Sequence, residues 1–452
     1  MADISQFQTH LSEELLLLQD LGFSDIYMHD SPAVFSYRTS DDSDTDSDLR
    51  LLEVIAAYLT TGNPGDVVAA AFDKREQICL VLAKSGTVGS ADYGATHAFL
   101  SALRNADTWT DLYPFLATHC KQNVSKRVRN LHESLTELWD ELQSAATDYE
   151  FRSMKREFPR SGPHLKVKYL EEPPTPPKFL HDLLHICVTL STQFEMQDHE
   201  AALRQYVQLV SAAYSLYHSF FLTYLTGKYY ERGDSKFKGR VERLKRRLDK
   251  VSQYARTTAL IRLVKRLPNI PFRWVEDTLV GTGERILEIC RNPMEVVERV
   301  LGENPPSAKQ TEALLRHYPN LCKTWERRSR FVNTHVHPEL RIILDLCRPL
   351  LSGLRPPLDD VAPLPVGCSK SSCLCCTVWI NLFDYLAGMK CMIARTNGRP
   401  CDDWALPGAA AEMKEFPDWR YLDEGITQGG IYTSEKGGFS EDAHEDWGLA
   451  AG

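Results

Sequence analysis

Residues 366–379 run VGCSKSSCLCCTVW, and nothing else in the 452-residue chain restricts its folding as much as the four cysteines there, Cys368, Cys373, Cys375 and Cys376, within nine positions. Thiols this close in sequence cannot be scattered through a core. Whatever fold forms must gather them in one place. Ser371 or Ser372 suits the cap of a helix over CLCCTVWINLFDYLAG, whose first turn then holds Cys373 and Cys376. Exposed N–H groups and the helix dipole stabilise thiolates at such a start, and Cys-x-x-Cys spacing brings both sulfurs to one side, an arrangement that suits zinc. Cys373 with Cys375, and Cys368 with Cys373, are the other metal-binding pairs that the cluster offers.

The compartment decides how such thiols are used. The opening MADISQFQTHLSEELLLLQ has neither the basic end nor the continuous apolar run of a secretory leader, so the expectation is an intracellular protein, cytoplasmic or nuclear. Twelve cysteines in a reducing compartment read as core residues, ligands or catalytic groups rather than a disulfide framework. Residues 205–227 carry no formal charge and precede a basic segment, which invites a membrane span. Their Gln, Ser, His and Thr content argues instead for a buried helix, and no membrane association is expected.

An amphipathic helix and an acidic linker are expected over 1–47. In the stretch from Ser40 to Asp48, Asp42, Asp44, Asp46 and Asp48 alternate and Glu53 follows at calcium-loop spacing. Ser47 stands where such a loop needs glycine, so the reading is a solvated linker. Asp48 is placed as the N-cap of a helix carrying Leu51, Ile55 and Leu59 and ending at Gly62. VVAAAF and QICLVLA around the polar DKRE then read as a β-hairpin over 67–83. From 94 to 327 the pattern is helical, broken by a Pro-rich linker from Pro159 to Pro177. Within it, residues 228–266 hold fourteen Lys and Arg against four Asp and Glu, in a chain of net charge −9, which suggests a face for RNA or single-stranded DNA. The Gly-rich acidic residues 411–452 read as a disordered tail.

Upstream of the cysteines lies NTHVHPELRIILDLC, residues 333–347. Pro338 fits the first position of a helix, and Leu340, Ile343, Leu344 and Cys347 give it an apolar face. His337 and Glu339 therefore stand together at its N-terminus. His-x-Glu at one helix start and Cys-x-x-Cys at another is the pattern of zinc deaminases. His335 is a second candidate ligand, at a spacing from Glu339 that fits this pattern less well. A rival pair, His181 and His185 in HDLLH, has zinc-protease spacing but carries Asp182 where that chemistry needs the longer glutamate.

HPELRIILDL, VGCSKSSCLCC and RTNGRPCDDWALP, with Ser369 and Lys370 preceding the metal cysteines, together resemble the fungal deaminase-like proteins of the cytidine-deaminase-like superfamily, a group related to bacterial deaminase toxins. The resemblance is strongest over residues 330–407, and it departs from the superfamily at Ser372, where proline is usual. It implies Zn2+ held by His337, Cys373 and Cys376, with Glu339 as the catalytic proton carrier and a cytosine or adenine base as substrate. It also implies an α/β fold, a three-layer core of mixed β-sheet and helices interrupted by a large helical insertion. In that arrangement 48–90 supplies the first helix and hairpin, 91–327 is the insertion, and 328–410 is the catalytic part. PLPVGCS becomes the strand between the two site helices and KCMIAR the strand after them. Trp404 is then either a wall of a base pocket or a core residue. The alternative is an inactive, zinc-stabilised deaminase-fold protein that binds nucleic acid or another partner.

Overall fold

The computed structural model describes residues 4–25, 28, 33–34, 44–63, 65–159, 174–192, 194–197, 199–231, 235–276, 285–302, 305–351 and 363–407. Most of the Pro-rich linker, the first residues of the acidic stretch and the whole of 411–452 lie outside them. The fold is mixed α/β. Among the described residues its main sheet has five strands in the order β3-β2-β1-β6-β7, with β1 Val68–Asp73, β2 Cys79–Lys84, β3 Phe272–Trp274, β6 Leu364–Cys368 and β7 Cys391–Ile393. Two further strands, β4 (Arg285–Glu288) and β5 (Phe331–Thr334), form a separate antiparallel pair.

The hairpin forms as read, with Ala69 opposite Ala83 and Ala71 opposite Val81. Alternate residues of a strand face opposite sides, and here the two sides enter different cores. Ala69, Ala71, Val81 and Ala83 join a cluster with Leu340, Ile343, Trp379 and Ile380. Ala70, Phe72, Leu80 and Leu82 join a second cluster that runs through the helices between Ser90 and Arg266. β1 then pairs antiparallel with β6, Ala69 opposite Cys368, and β6 pairs parallel with β7. Across the sheet lies helix α2 (Asp44–Leu59), so close to β6 that a Cβ on Gly367 would stand 2.2 Å from the backbone carbon of Leu52. Glycine is required there because no side chain fits between helix and strand.

Several expectations need correction. Helix α2 begins at Asp44, so Asp48 lies inside the helix instead of capping it, and a calcium loop over these residues is excluded. The segment 94–327 is not wholly helical: Phe272–Trp274 extends the sheet as β3, parallel to β2, and Arg285–Glu288 forms β4. A three-residue strand is too short to show periodicity, and its place is set by Trp274, whose indole N–H donates to Thr96 Oγ1 at 3.2 Å. The uncharged stretch 205–227 is divided between helices Glu200–Tyr217 and Phe220–Glu231. No helix among the described residues is long and apolar enough to cross a membrane.

The basic segment is led by helix α4 (Ser235–Ser252), which packs against helix α3 (Lys121–Glu137). Much of its charge is matched from there and from the following helix. Arg240 pairs with Glu141 at 2.9 Å, Arg243 with Glu137 at 3.6 Å, and Arg247 with Glu133 at 3.6 Å. These glutamates are about a hundred residues away in sequence, so a local charge count could not include them.

Candidate metal centre

Two helix starts build the site. Helix α5 (Pro338–Leu351) begins at the proline whose fixed φ suits a first helical position. It buries Leu340, Ile343, Leu344 and Cys347 as expected. Its first turn is fixed by the fully buried Arg341, whose Nε donates to Val336 O at 2.7 Å and whose Nη1 donates to Gly86 O at 3.2 Å in the loop after the hairpin. His337 and Glu339 are thereby held against the sheet. Helix α6 (Leu374–Ala387) starts one residue later than the serine caps would place it. Cys373 itself is the N-cap, and its Sγ accepts from the N–H of Cys376 at 3.4 Å. A sulfur that caps its own helix is also held as a thiolate-favouring acceptor. Ser372 instead joins the loop after β7, where its N–H donates to Arg395 O at 3.0 Å.

His337 Nδ1 lies 3.6 Å from Cys373 Sγ and 3.2 Å from Cys376 Sγ. Zinc bonds of about 2.0–2.1 Å to nitrogen and 2.3 Å to sulfur at tetrahedral angles would separate N and S by about 3.6 Å. The donors therefore already stand near the edges of a zinc tetrahedron. Among the described residues, His337, Cys373 and Cys376 form one of two groups whose ligand atoms all lie within 4.8 Å of one another, the other being His335, His337 and Asp403. Cys375 and Cys368 belong to neither. His181 and His185 stack on one helix with no third ligand beside them in either group.

The electrostatics agree with a cation-binding donor set. Burial pushes the Cys373 thiol up, but hydrogen bonds from the Cys375 and Cys376 thiols and the nearby His337 bring it well below its ordinary range. Cys376 moves the other way: burial raises it, and so do the Cys373 sulfur and the Glu339 carboxylate. Negative charge collected in a buried site repels unless a cation lies among the donors. Glu339, 3% exposed, acts on the Cys376 thiol through its charge and a side-chain hydrogen bond, so the two side chains are neighbours.

Asp403 is the residue that sequence reading missed. Its Oδ1 lies 3.3 Å from His337 Nε2, on the side of the ring away from the sulfurs. A carboxylate on the far nitrogen fixes the tautomer that leaves Nδ1 free to bind metal. Burial pushes the Asp403 carboxyl up, yet the hydrogen bond and charge of His337 bring it down to about 2. Cys401, its thiol pushed up to about 12 by burial, donates to the same oxygen at 2.8 Å. Helix α1 (Ile4–Asp20) holds this segment in place: Gln8 Nε2 donates to Trp404 O at 3.0 Å, the N–H of Leu406 donates to Gln8 Oε1 at 2.8 Å, and Gln19 bonds Asp402 at 3.0 Å. Trp404 is fully buried in the core.

A cleft of about 660 Å³ opens beside the centre, lined by His335, Asp403 and Asn333 on one side and by Asn63, Asp66 and His119 on another. His335 thus faces the cleft, next to His337, with their rings 5.2 Å apart. The size lies within the range of small-molecule sites. No family model, curated protein or solved structure matches the chain. What the structure shows by itself is a mixed α/β chain in which His337, Cys373 and Cys376 form a candidate metal-binding group beside an open cleft.

Proposed function

We propose that the protein is a zinc-dependent hydrolase that deaminates a cytosine or adenine base, a member of the fungal deaminase-like group with a cytidine-deaminase-like core. The observation that carries this reading is the convergence of His337 Nδ1, Cys373 Sγ and Cys376 Sγ, with the buried Glu339 beside them. The order of elements supports it once everything between the hairpin and Pro338 is set aside as an insertion: helix, hairpin, His-x-Glu helix, strand, Cys-x-x-Cys helix, strand, with the hairpin joined directly to the strand between the two site helices. A structural zinc site needs no carboxylate two residues from its histidine, and its fourth position is filled by protein.

His337, Cys373 and Cys376 would hold the metal, with Asp403 orienting the histidine. A zinc ion bound there supplies the Lewis acidity that lets a water lose its proton near neutral pH. Glu339 accepts that proton as the water oxygen bonds to C4 of cytosine or C6 of adenine, and passes it to the ring nitrogen. It then takes the proton of the newly formed hydroxyl and carries it to the exocyclic amine, the C–N bond breaks as the C=O bond forms, and ammonia leaves a carbonyl product. The base would approach the centre from the cleft that His335 and Asp403 line.

The test is Glu339→Gln assayed with a panel of nucleosides and oligonucleotides for the mass gain of about 1 Da that exchanging amine for carbonyl produces. Turnover should fall by at least ~10⁴-fold, the upper end for a group serving in both proton transfers, with zinc content and melting temperature retained. Retained turnover would remove Glu339 from the chemistry. An inactive wild-type protein with stoichiometric zinc would favour a zinc-stabilised binding protein.

A further inference from the structure

Helix α4 docks on the two loops that frame the metal centre. Its Asp249 takes an ion pair from Arg395 at 2.5 Å, and Lys250 Nζ donates to Ser369 O at 3.2 Å, four residues before Cys373. One turn back on the same face is Arg246. The arginines flanking it are paired with glutamates of α3, whereas Arg246 is exposed and has no carboxylate or hydrogen-bond partner among the described residues. Partial burial and the fields of Arg243, Arg247, Arg399 and Arg395 all lower its pKa, so positive charge accumulates around it.

Three more cations share that situation. Arg399 is exposed on the loop whose carbonyl accepts from the N–H of Leu374, 2.8 Å away at the start of α6. Lys370, also exposed, stands three residues before Cys373; partial burial and the charge of Lys126 lower it, while Asp66 and Asp403 of the cleft act in the opposite sense. Lys126 is exposed on α3. Like Arg246, these three have no ion-pair partner among the described residues. In a chain of net charge −9 such crowding of unmatched cations around the loops that frame the metal centre is not a by-product of composition.

We propose that Lys126, Arg246, Lys370 and Arg399 form a phosphate track beside the metal centre, and that the substrate base is delivered in a single-stranded polynucleotide. This rests on the deaminase reading of the site. Four cations carried by two helices and two loops are more than one phosphate neutralises, which favours a chain over a free nucleotide. A single strand is required because a base in a duplex is stacked and paired, with its amine out of reach of a cleft.

The experiment measures binding of a fluorescent (dT)15 oligonucleotide to the full chain against salt. Thymine has no exocyclic amine, so binding is read apart from turnover. Four phosphate contacts at ~0.7 each give a logarithmic slope of about −2.8, a loss of ~50-fold between 50 and 200 mM salt. The Lys126→Gln, Arg246→Gln, Lys370→Gln, Arg399→Gln variant should lose most of that slope at an unchanged melting temperature. Arg243→Gln with Arg247→Gln, whose charges are already paired, should keep it. A slope near −0.7 for the wild type would indicate a single-phosphate ligand and overturn the track, as would an equal loss in both variants. Turnover of free nucleosides without salt-dependent binding refutes the track and leaves the deaminase; binding with the full slope but no turnover on any substrate does the reverse.

Discussion

Replacing Asp403 by alanine tests the least obvious part of the centre, because the residue is not one of the proposed ligands. Its carboxylate orients His337 from the far side of the ring, and partners that hold a metal-binding histidine by its other nitrogen typically contribute ~10- to 100-fold in metal affinity. The Nε2–Oδ1 separation of 3.3 Å is longer than the 2.7–2.9 Å of the strongest charge-assisted contacts. The loss should therefore lie at the lower end, about tenfold, or roughly 1.4 kcal/mol. Asp403→Asn should lose less, since an amide oxygen still accepts from the ring N–H. Competition for zinc with a chromophoric chelator at fixed pH measures this directly. Asp107→Ala is the control, as Asp107 is an exposed partner of Lys265 and is absent from both ligand groups. Zinc affinity within twofold of wild type for Asp403→Ala, or an equal loss for Asp107→Ala, would refute the orienting role.

Other perturbations separate ligands, packing and charge. Cys373→Ala and Cys376→Ala should each abolish stoichiometric zinc by metal analysis, while Cys375→Ala keeps it; the opposite pattern would reassign the ligands. Gly367→Ala should lower stability by ~3 kcal/mol, the upper end for overpacking, because the new Cβ meets α2 backbone at 2.2 Å and backbone cannot rotate aside; a melt within a degree of wild type would show that α2 is free to shift. Lys250 is lowered to about 7 by its burial and by Arg127 and Arg395, so its protonation opposes folding. That cost is complete below pH 7 and relieved as pH rises toward 10.5, the unfolded value. Lys250→Met should thus be more stable than wild type at pH 6, by a margin that shrinks toward pH 10; a margin independent of pH would contradict the assignment.

The features legible in the sequence were those whose signal is local. The hairpin shows because two apolar runs flank a polar turn, and the start of α5 shows because Pro338 precedes an apolar face. Asp403 gave no signal. Asp402 and Asp403 are adjacent and chemically alike, and only the hold of α1 on residues 402–406 aims one at His337 and the other at Gln19. The serine cap of α6 was misread for a related reason: Cys373 can serve as its own cap once Ser372 is drawn into the loop after β7. The basic segment looked like a free charged face because Glu133, Glu137 and Glu141 lie on helices that are near only after folding.

The direct pairing of β1 with β6 has a consequence for how the chain is made. Val68 donates its N–H to Ser369 Oγ across a separation of 301 residues. At ~5–20 residues per second of synthesis, the hairpin waits roughly 15–60 s on the ribosome before its partner strand exists. The face left waiting is built from Ala69, Ala71, Val81 and Ala83. Three methyl groups and one valine expose far less apolar surface than a strand of isoleucine and leucine would, which limits adhesion of the nascent chain to its neighbours. The second face, with Phe72, Leu80 and Leu82, can be covered much earlier, because its helical partners follow directly in the chain.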